Sequence, residues 1–365
     1  MTLGVATAAA LILLVPASPA AAAFAPKLVV TPASAPGGTT IELRATADDD
    51  LIARTALYVP LGWKTGAPAP GQLIGSAAGS ALAADGTTVM LAGRVTGATA
   101  DATSGACVSG GSTVWLLQVS AGATQLSIPL IVGSVSGDAT GFATATITAC
   151  WPAPGSPALA GLRLTGLTFE LGSNALVPPS APGAFRWRAL STPFAAGSAT
   201  ESTAASAEAQ STLQLPATLT LAARLAVRRT PTTVKVTRTI GGKTVTASER
   251  RVVVTRFADL RGQLLGRDPA AATAGPVIEL LGGTKPTPLT PLAHATPATG
   301  GAYTLRIQLD TAAKTVTFAA RAALPLRDLG AGSCTPSFGT AVPCVSATTP
   351  ALTLASAPVA LATGR

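Results

Sequence analysis

One histidine, His294, and one asparagine, Asn174, stand in a chain of 365 residues. A Ser-His-Asp or Cys-His catalytic arrangement would have to use that single imidazole. It sits in Leu292-Ala293-His294-Ala295-Thr296, which reads as a loop. No G-x-S-x-G nucleophile elbow occurs. The four cysteines have no C-x-x-C spacing and no histidine cluster beside them, so a structural zinc site is excluded. Gly-rich phosphate loops between a strand and a helix are missing too. Paired carboxylates can cleave glycosides without histidine, yet Glu42 and Glu279 alternate with apolar residues as strand-face residues do. No catalytic residue and no cofactor is therefore expected.

Charge and aromatic rings are scarce: 11% of residues are charged and 4% aromatic. With 48% hydrophobic residues, the chain still carries enough apolar surface for a core. The few charges are unevenly placed. Residues 1–210 carry 8 Lys and Arg against 10 Asp and Glu, whereas residues 211–365 carry 17 against 6, a net +11. A basic half suggests an anionic partner, here a cell-wall polymer or glycan. Nucleic acid is not expected, because that half offers only Phe257, Tyr303, Phe318 and Phe338 for stacking and no recognition motif.

Against these absences, the N-terminus carries a positive signal. Ala8–Val15 reads AAALILLV and is followed by Pro16-Ala17-Ser18-Pro19 and a run of alanines. This is the apolar segment and small-residue cleavage site of a signal peptide, expected to end at Ala23, and the run is too short to span a bilayer. The mature chain is thus expected to be secreted, with no transmembrane segment. An even number of cysteines in a secreted chain favours disulfides. Proximity in sequence pairs Cys107 with Cys150 and Cys334 with Cys344.

Apolar residues recur at period 2 throughout. In Thr39–Thr46, Ile41, Leu43 and Ala45 face one way, with Glu42 and Arg44 opposite. Thr113–Val119, Phe142–Ala149, Leu162–Glu170 and Phe185–Leu190 read as further strands. Residues 196–211 hold no large apolar side chain and are expected to be a flexible linker. Beyond them, Val234–Thr246 reads VKVTRTIGGKTVT, two alternating arms around Gly241-Gly242, a two-residue hairpin signal. The fold expected is all-β: two immunoglobulin-like β-sandwich domains in tandem, at 24–195 and 212–365.

The run Leu260-Arg261-Gly262-Gln263-Leu264-Leu265, then Ala274-Gly275-Pro276-Val277-Ile278-Glu279-Leu280, then Gly301-Ala302-Tyr303-Thr304-Leu305 resembles bacterial Ig-like or prealbumin-like modules of the carboxypeptidase regulatory-like group. Cys334 through Thr348, and in the first half Asp49–Arg54, Leu57–Pro60 and Phe185–Leu190, resemble secreted proteins of high-GC Gram-positive bacteria that carry such modules. The resemblance implies a β-sandwich and an extracellular location, and no chemistry.

Three sites remain as candidates. Tyr58 and Trp63 form the best ligand-stacking platform, since Trp63 follows Pro60-Leu61-Gly62 in a loop-like context. Trp115, Trp151 and Trp187 read as core. Asp48-Asp49-Asp50 is the calcium candidate, although it lacks the alternating spacing that converges on an ion. The basic half is the third. Function is expected to be that of a non-catalytic extracellular structural or binding protein at the cell surface or wall. The alternative is a secreted carbohydrate-binding, lectin-like protein or a degenerate glycan hydrolase.

Overall fold

The computed structural model describes residues 24–364, apart from 34–36, 47–49, 102–103, 105–106, 109–112, 123, 160, 267–275, 310–312 and 340. The expected signal peptide, Asp48, Asp49 and Ala274-Gly275 lie outside the described residues.

The molecule is nearly all-β. Its first strands are β1 (Lys27–Pro32), β2 (Thr39–Arg44), β3 (Ile52–Pro60), β4 (Lys64–Thr65), β5 (Leu73–Leu82), β6 (Thr88–Ala98), β7 (Thr113–Ala121) and β8 (Thr124–Ser134). Next come β9 (Ala143–Cys150), β10 (Arg163–Leu171), β11 (Leu176–Val177), β12 (Gly183–Pro193), β13 (Ala207–Leu215), β14 (Thr218–Leu219), β15 (Ala222–Ile240) and β16 (Lys243–Leu265). The chain ends with β17 (Ile278–Gly283), β18 (Thr290–Ala295), β19 (Ala302–Gln308), β20 (Thr315–Leu324), β21 (Arg327–Asp328), β22 (Cys344–Thr349), β23 (Leu352–Ala355) and β24 (Val359–Ala362).

Thirteen strands form one sheet in the order β1-β2-β10-β5-β6-β7-β8-β9-β3-β12-β13-β22-β21. Its alternation is the one expected: Ile41 and Leu43 are buried on β2 while Arg44 is exposed, and Trp115, Leu117 and Val119 point into the core from β7. The sheet curls until β1 lies against β13 and β22. One hydrophobic cluster, from Leu28 and Ile41 through Trp115 and Ile128 to Trp187 and Leu213, fills the interior in a sandwich-like arrangement.

No backbone ladder joins β1 to those last strands; hydroxyls do. Ser346 Oγ donates to the carbonyl of Pro26 (2.9 Å) and Thr348 Oγ1 to that of Leu28 (2.5 Å). The amide of Val30 donates to Ser211 Oγ (3.0 Å). Residues 26, 28 and 30 alternate along the strand, so these groups all belong to the edge that faces away from β2. All three hydroxyl residues are buried. Lys27 Nζ also reaches Asp328 Oδ2 on β21 at 2.5 Å.

A second cluster includes Leu260, Ile278, Leu280, Tyr303, Phe318 and Leu352. Strands β14, β16, β15 and β19 form one sheet around it, and β18, β17, β20, β23 and β24 another. Gly262 faces Tyr303 across β16 and β19. A Cβ there would lie 2.0 Å from the Thr220 carbonyl oxygen and 2.4 Å from the tyrosine ring, so only glycine fits. The Tyr303 hydroxyl donates to that same carbonyl (2.5 Å), and burial pushes its pKa up to about 12.

The strand pairings divide the chain differently from the expected boundary at 196–211. β13 begins at Ala207 and pairs with β12 along its length, and β22 then pairs parallel to β13. Strands β21 and β22 thus belong to the first sheet. The stretch lacks large apolar residues because β13 packs with small ones: Ala207 and Ala209 are buried, and so are Glu208, Gln210 and Ser211.

Replacing Ser211 by Ala leaves the buried Val30 amide without an acceptor. The expected loss of stability in urea denaturation is about 1–3 kcal/mol, with Thr244→Ala, on exposed β16, changing it by less than about 0.5 kcal/mol.

Candidate functional site

The two expected disulfides, Cys107–Cys150 and Cys334–Cys344, are both formed, each with 5.7 Å between Cα atoms. The stacking platform is not. Trp63 is only 2% exposed, edge-on to Trp187 (4.9 Å) and near Phe185 (6.2 Å), and so presents no ring face to a ligand. Its loop-like sequence context is misleading because the rings of β12 fold over it. All four tryptophans are buried. Tyr58 belongs to a different group, its ring tilted against that of Phe338 at 4.9 Å, with Phe142 beside both. Of the calcium candidate, Asp50 is described and exposed. Among the described residues no three His, Cys, Asp or Glu side chains are grouped so as to hold a metal.

The Phe338 contact belongs to a strap. The loop closed by Cys334–Cys344 lies over a buried ion pair, Arg188 of β12 and Glu208 of β13, 3.7 Å apart. Glu208 Oε1 accepts from Gln210 Nε2 (2.8 Å) and Oε2 from the Ser337 amide (2.8 Å). Arg188 Nε donates to Ser337 Oγ (2.7 Å), and its guanidinium lies 4.1 Å from the Phe142 ring centre. Burial lowers the Arg188 pKa against the opposing pull of Glu208. Arg188, Glu208 and Gln210 each bond the loop, at Ser337 Oγ, the Ser337 amide and the Thr335 carbonyl, which gives the group a structural role.

His294 lies on strand β18, not in a loop, and is exposed. It faces Glu279, which faces Arg321, in one row across three strands. A cleft of about 750 Å³ opens beside them. The Arg321 guanidinium bonds the Glu279 carboxylate and holds its pKa below the ordinary value. That carboxylate is therefore a poor proton donor near neutral pH.

The dominant exposed feature is the hairpin of β15 and β16. Their register runs unbroken from Ala222 opposite Arg261 to Ile240 opposite Lys243, around Gly241 and Gly242, both with positive φ. Near its base β16 pairs with β19, but only up to Phe257. The Arg256 carbonyl still accepts from the Leu309 amide (2.9 Å); beyond it no other described strand pairs with the two. From Val227 to Val253 every residue except Val236 and Glu249 is exposed. Fourteen residues of β15, Val227 to Ile240, at about 3.3 Å each, make an arm roughly 45 Å long. Pro231 is tolerated because β15 is an edge strand.

Directly opposed residues share a face in an antiparallel ribbon. One face holds Arg228, Arg238, Lys243 and Arg251 with Glu249; the other holds Arg229, Lys235, Arg250 and Arg256. Between Val227 and Arg256 there are eight Lys and Arg and one acid, a net +7 against +9 for the whole chain. Glu249 is bonded by Arg238 (2.5 Å) and Arg251 (3.1 Å). Arg228, Arg229, Lys235, Lys243 and Arg250 make no ion pair among the described residues. The hairpin is legible in the sequence; its isolation is not, and neither is the gathering of the basic charge onto one ribbon.

Removing one partner of the buried pair strands the other charge. Glu208→Ala is expected to cost about 3–5 kcal/mol in urea denaturation, and Glu208→Gln, which keeps an acceptor for the Ser337 amide, distinctly less.

No family model matches this chain, and neither a curated protein nor a solved structure is similar enough to it to match.

Proposed function

We propose that this protein is a non-catalytic extracellular binding protein that acts at a cell surface or wall, with the two β units as a base and the β15–β16 ribbon as the contact element. The observation that carries the reading is the arm itself. About 45 Å of ribbon stands exposed among the described residues and holds most of the net charge. A ribbon that buries nothing contributes little to folding, so its retained length is best understood as reach toward a partner. Two disulfides support an oxidising compartment. No helix among the described residues is long and apolar enough to cross a membrane. The resemblance of the Gly262 and Tyr303 segments to Ig-like or prealbumin-like modules agrees with this reading, since the glycine makes room for the tyrosine.

The lectin-like alternative loses its aromatic platform but keeps one observation. Ser76, Arg94, Gln118 and Ser127 face one another in a row across β5, β6, β7 and β8. A shallow cleft of about 550 Å³ runs beside them. Such a row offers hydrogen bonds to a sugar without stacking it. A glycan array probed with the intact protein separates the readings: binding abolished by Arg94→Ala supports the lectin, and flat signals remove it.

Arg228 faces Thr255 with the same parity as Ile240 faces Lys243. Deleting residues 229–240 and 243–254 therefore leaves Gly241-Gly242 to close a shorter hairpin. Fractionation of the producing cells should then show the shortened protein moved from the cell surface to the medium. An unchanged distribution would contradict an arm-borne attachment.

A further inference from the structure

We infer that the arm binds a flexible linear polyanion, a polymer bearing phosphate or carboxylate groups at regular intervals, which lies along both faces of the ribbon. This rests on the arm being the contact element and adds the chemistry of its partner. Charge complementarity is the first ground: five cations, Arg228, Arg229, Lys235, Lys243 and Arg250, stand exposed without an ion pair among the described residues. Their placement is the second. Arg228 and Lys243 lie on one face and Arg229, Lys235 and Arg250 on the other, spread from near the base to the tip. A chain that bends around the ribbon meets all five.

Other partners fit less well. A planar anionic membrane meets one face at a time and so half of the charge. Nor can the ribbon sink into hydrocarbon, because the outer edges of β15 and β16 between Val227 and Thr255 pair with no described strand and lipid offers no partner to backbone groups. A second copy pairing edge to edge would bring two arms of +7 together, and charged edge residues are a common device against that contact. Single-stranded nucleic acid is usually held by bases stacked on aromatic rings, and no aromatic residue lies between Val227 and Arg256. Valine and threonine fill the space between the cations. Valine offers no polar contact, and the hydroxyls of Thr232, Thr237 and Thr246 bond within the ribbon, so the spaced cations supply the attraction.

The test is binding of the full-length protein, by fluorescence anisotropy, to labelled linear polyphosphate and to labelled alginate, a carboxylate polymer. The comparison protein carries Arg228→Gln, Arg229→Gln, Lys235→Gln, Lys243→Gln and Arg250→Gln together. All five positions are exposed, and circular dichroism checks that the fold is retained. Binding of the wild type should fall roughly 100-fold between 50 and 200 mM salt, as when about five charges engage a flexible polyanion. The five-fold variant should lose binding, and each single substitution should weaken it only severalfold. The preferred polymer identifies phosphate or carboxylate as the natural group.

Binding unchanged in the five-fold variant overturns the inference, as does collapse on one substitution, which signals a specific pocket. Binding to phosphatidylglycerol vesicles but to neither polymer overturns it in favour of a membrane. A dT oligomer bound more tightly than polyphosphate of equal charge overturns it in favour of base recognition. If no polyanion binds while the arm deletion still releases the protein from cells, the inference fails and the arm remains the contact element.

Discussion

A thirteen-stranded sheet has two ends, and a free strand edge is a row of unmet donors and acceptors. Here the β1 edge is met by three hydroxyls, those of Ser211, Ser346 and Thr348, which bond the amide of residue 30 and the carbonyls of residues 26 and 28. Hydroxyls suit this place because side chains standing on β13 and β22 reach a strand that does not run in their ladder. The seam closes the large core on the side where it would otherwise be open to water. It also joins strands far apart in sequence, since β1 starts at Lys27 and β22 at Cys344.

That closure explains how the two clusters are connected. The chain leaves the first sheet after β13, builds β14 to β20, returns as β21 and β22, and crosses again for β23 and β24. The second cluster is thus linked to the first at three places along the chain. The strap of Cys334–Cys344 covers the return, and its Ser337 bonds Glu208 and Arg188 on the first sheet. The ribbon of β15 and β16, exposed among the described residues, stands on a base tied in this way.

Legibility followed the size of side chains. β2, with large apolar residues at period 2, and β7, a more continuously apolar run, were visible. β13 was hidden, because Ala207, Ala209 and Ser211 fill tight space with little volume and read as linker composition. Nearest-neighbour pairing of cysteines was sufficient for both disulfides. Trp63 failed as a platform because what covers it, Phe185 and Trp187, is more than a hundred residues away in sequence. The arm shows the converse. Val234, Val236 and Val245 alternate as in a half-buried strand, and no local pattern reveals that no third strand arrives to cover them. Its charge looked diffuse in the sequence because Arg and Lys are spaced along two segments that only the register brings together.

Amide hydrogen exchange of the intact protein, read residue by residue, tests the seam most directly. The Val30 amide is bonded only if β1 meets Ser211. It should exchange as slowly as amides at the centre of β7, through global unfolding alone, while alternate amides on the free edge of the distal β15 exchange quickly. A Val30 amide exchanging as fast as those arm-edge amides would mean that β1 is an open edge and that the sheet does not close.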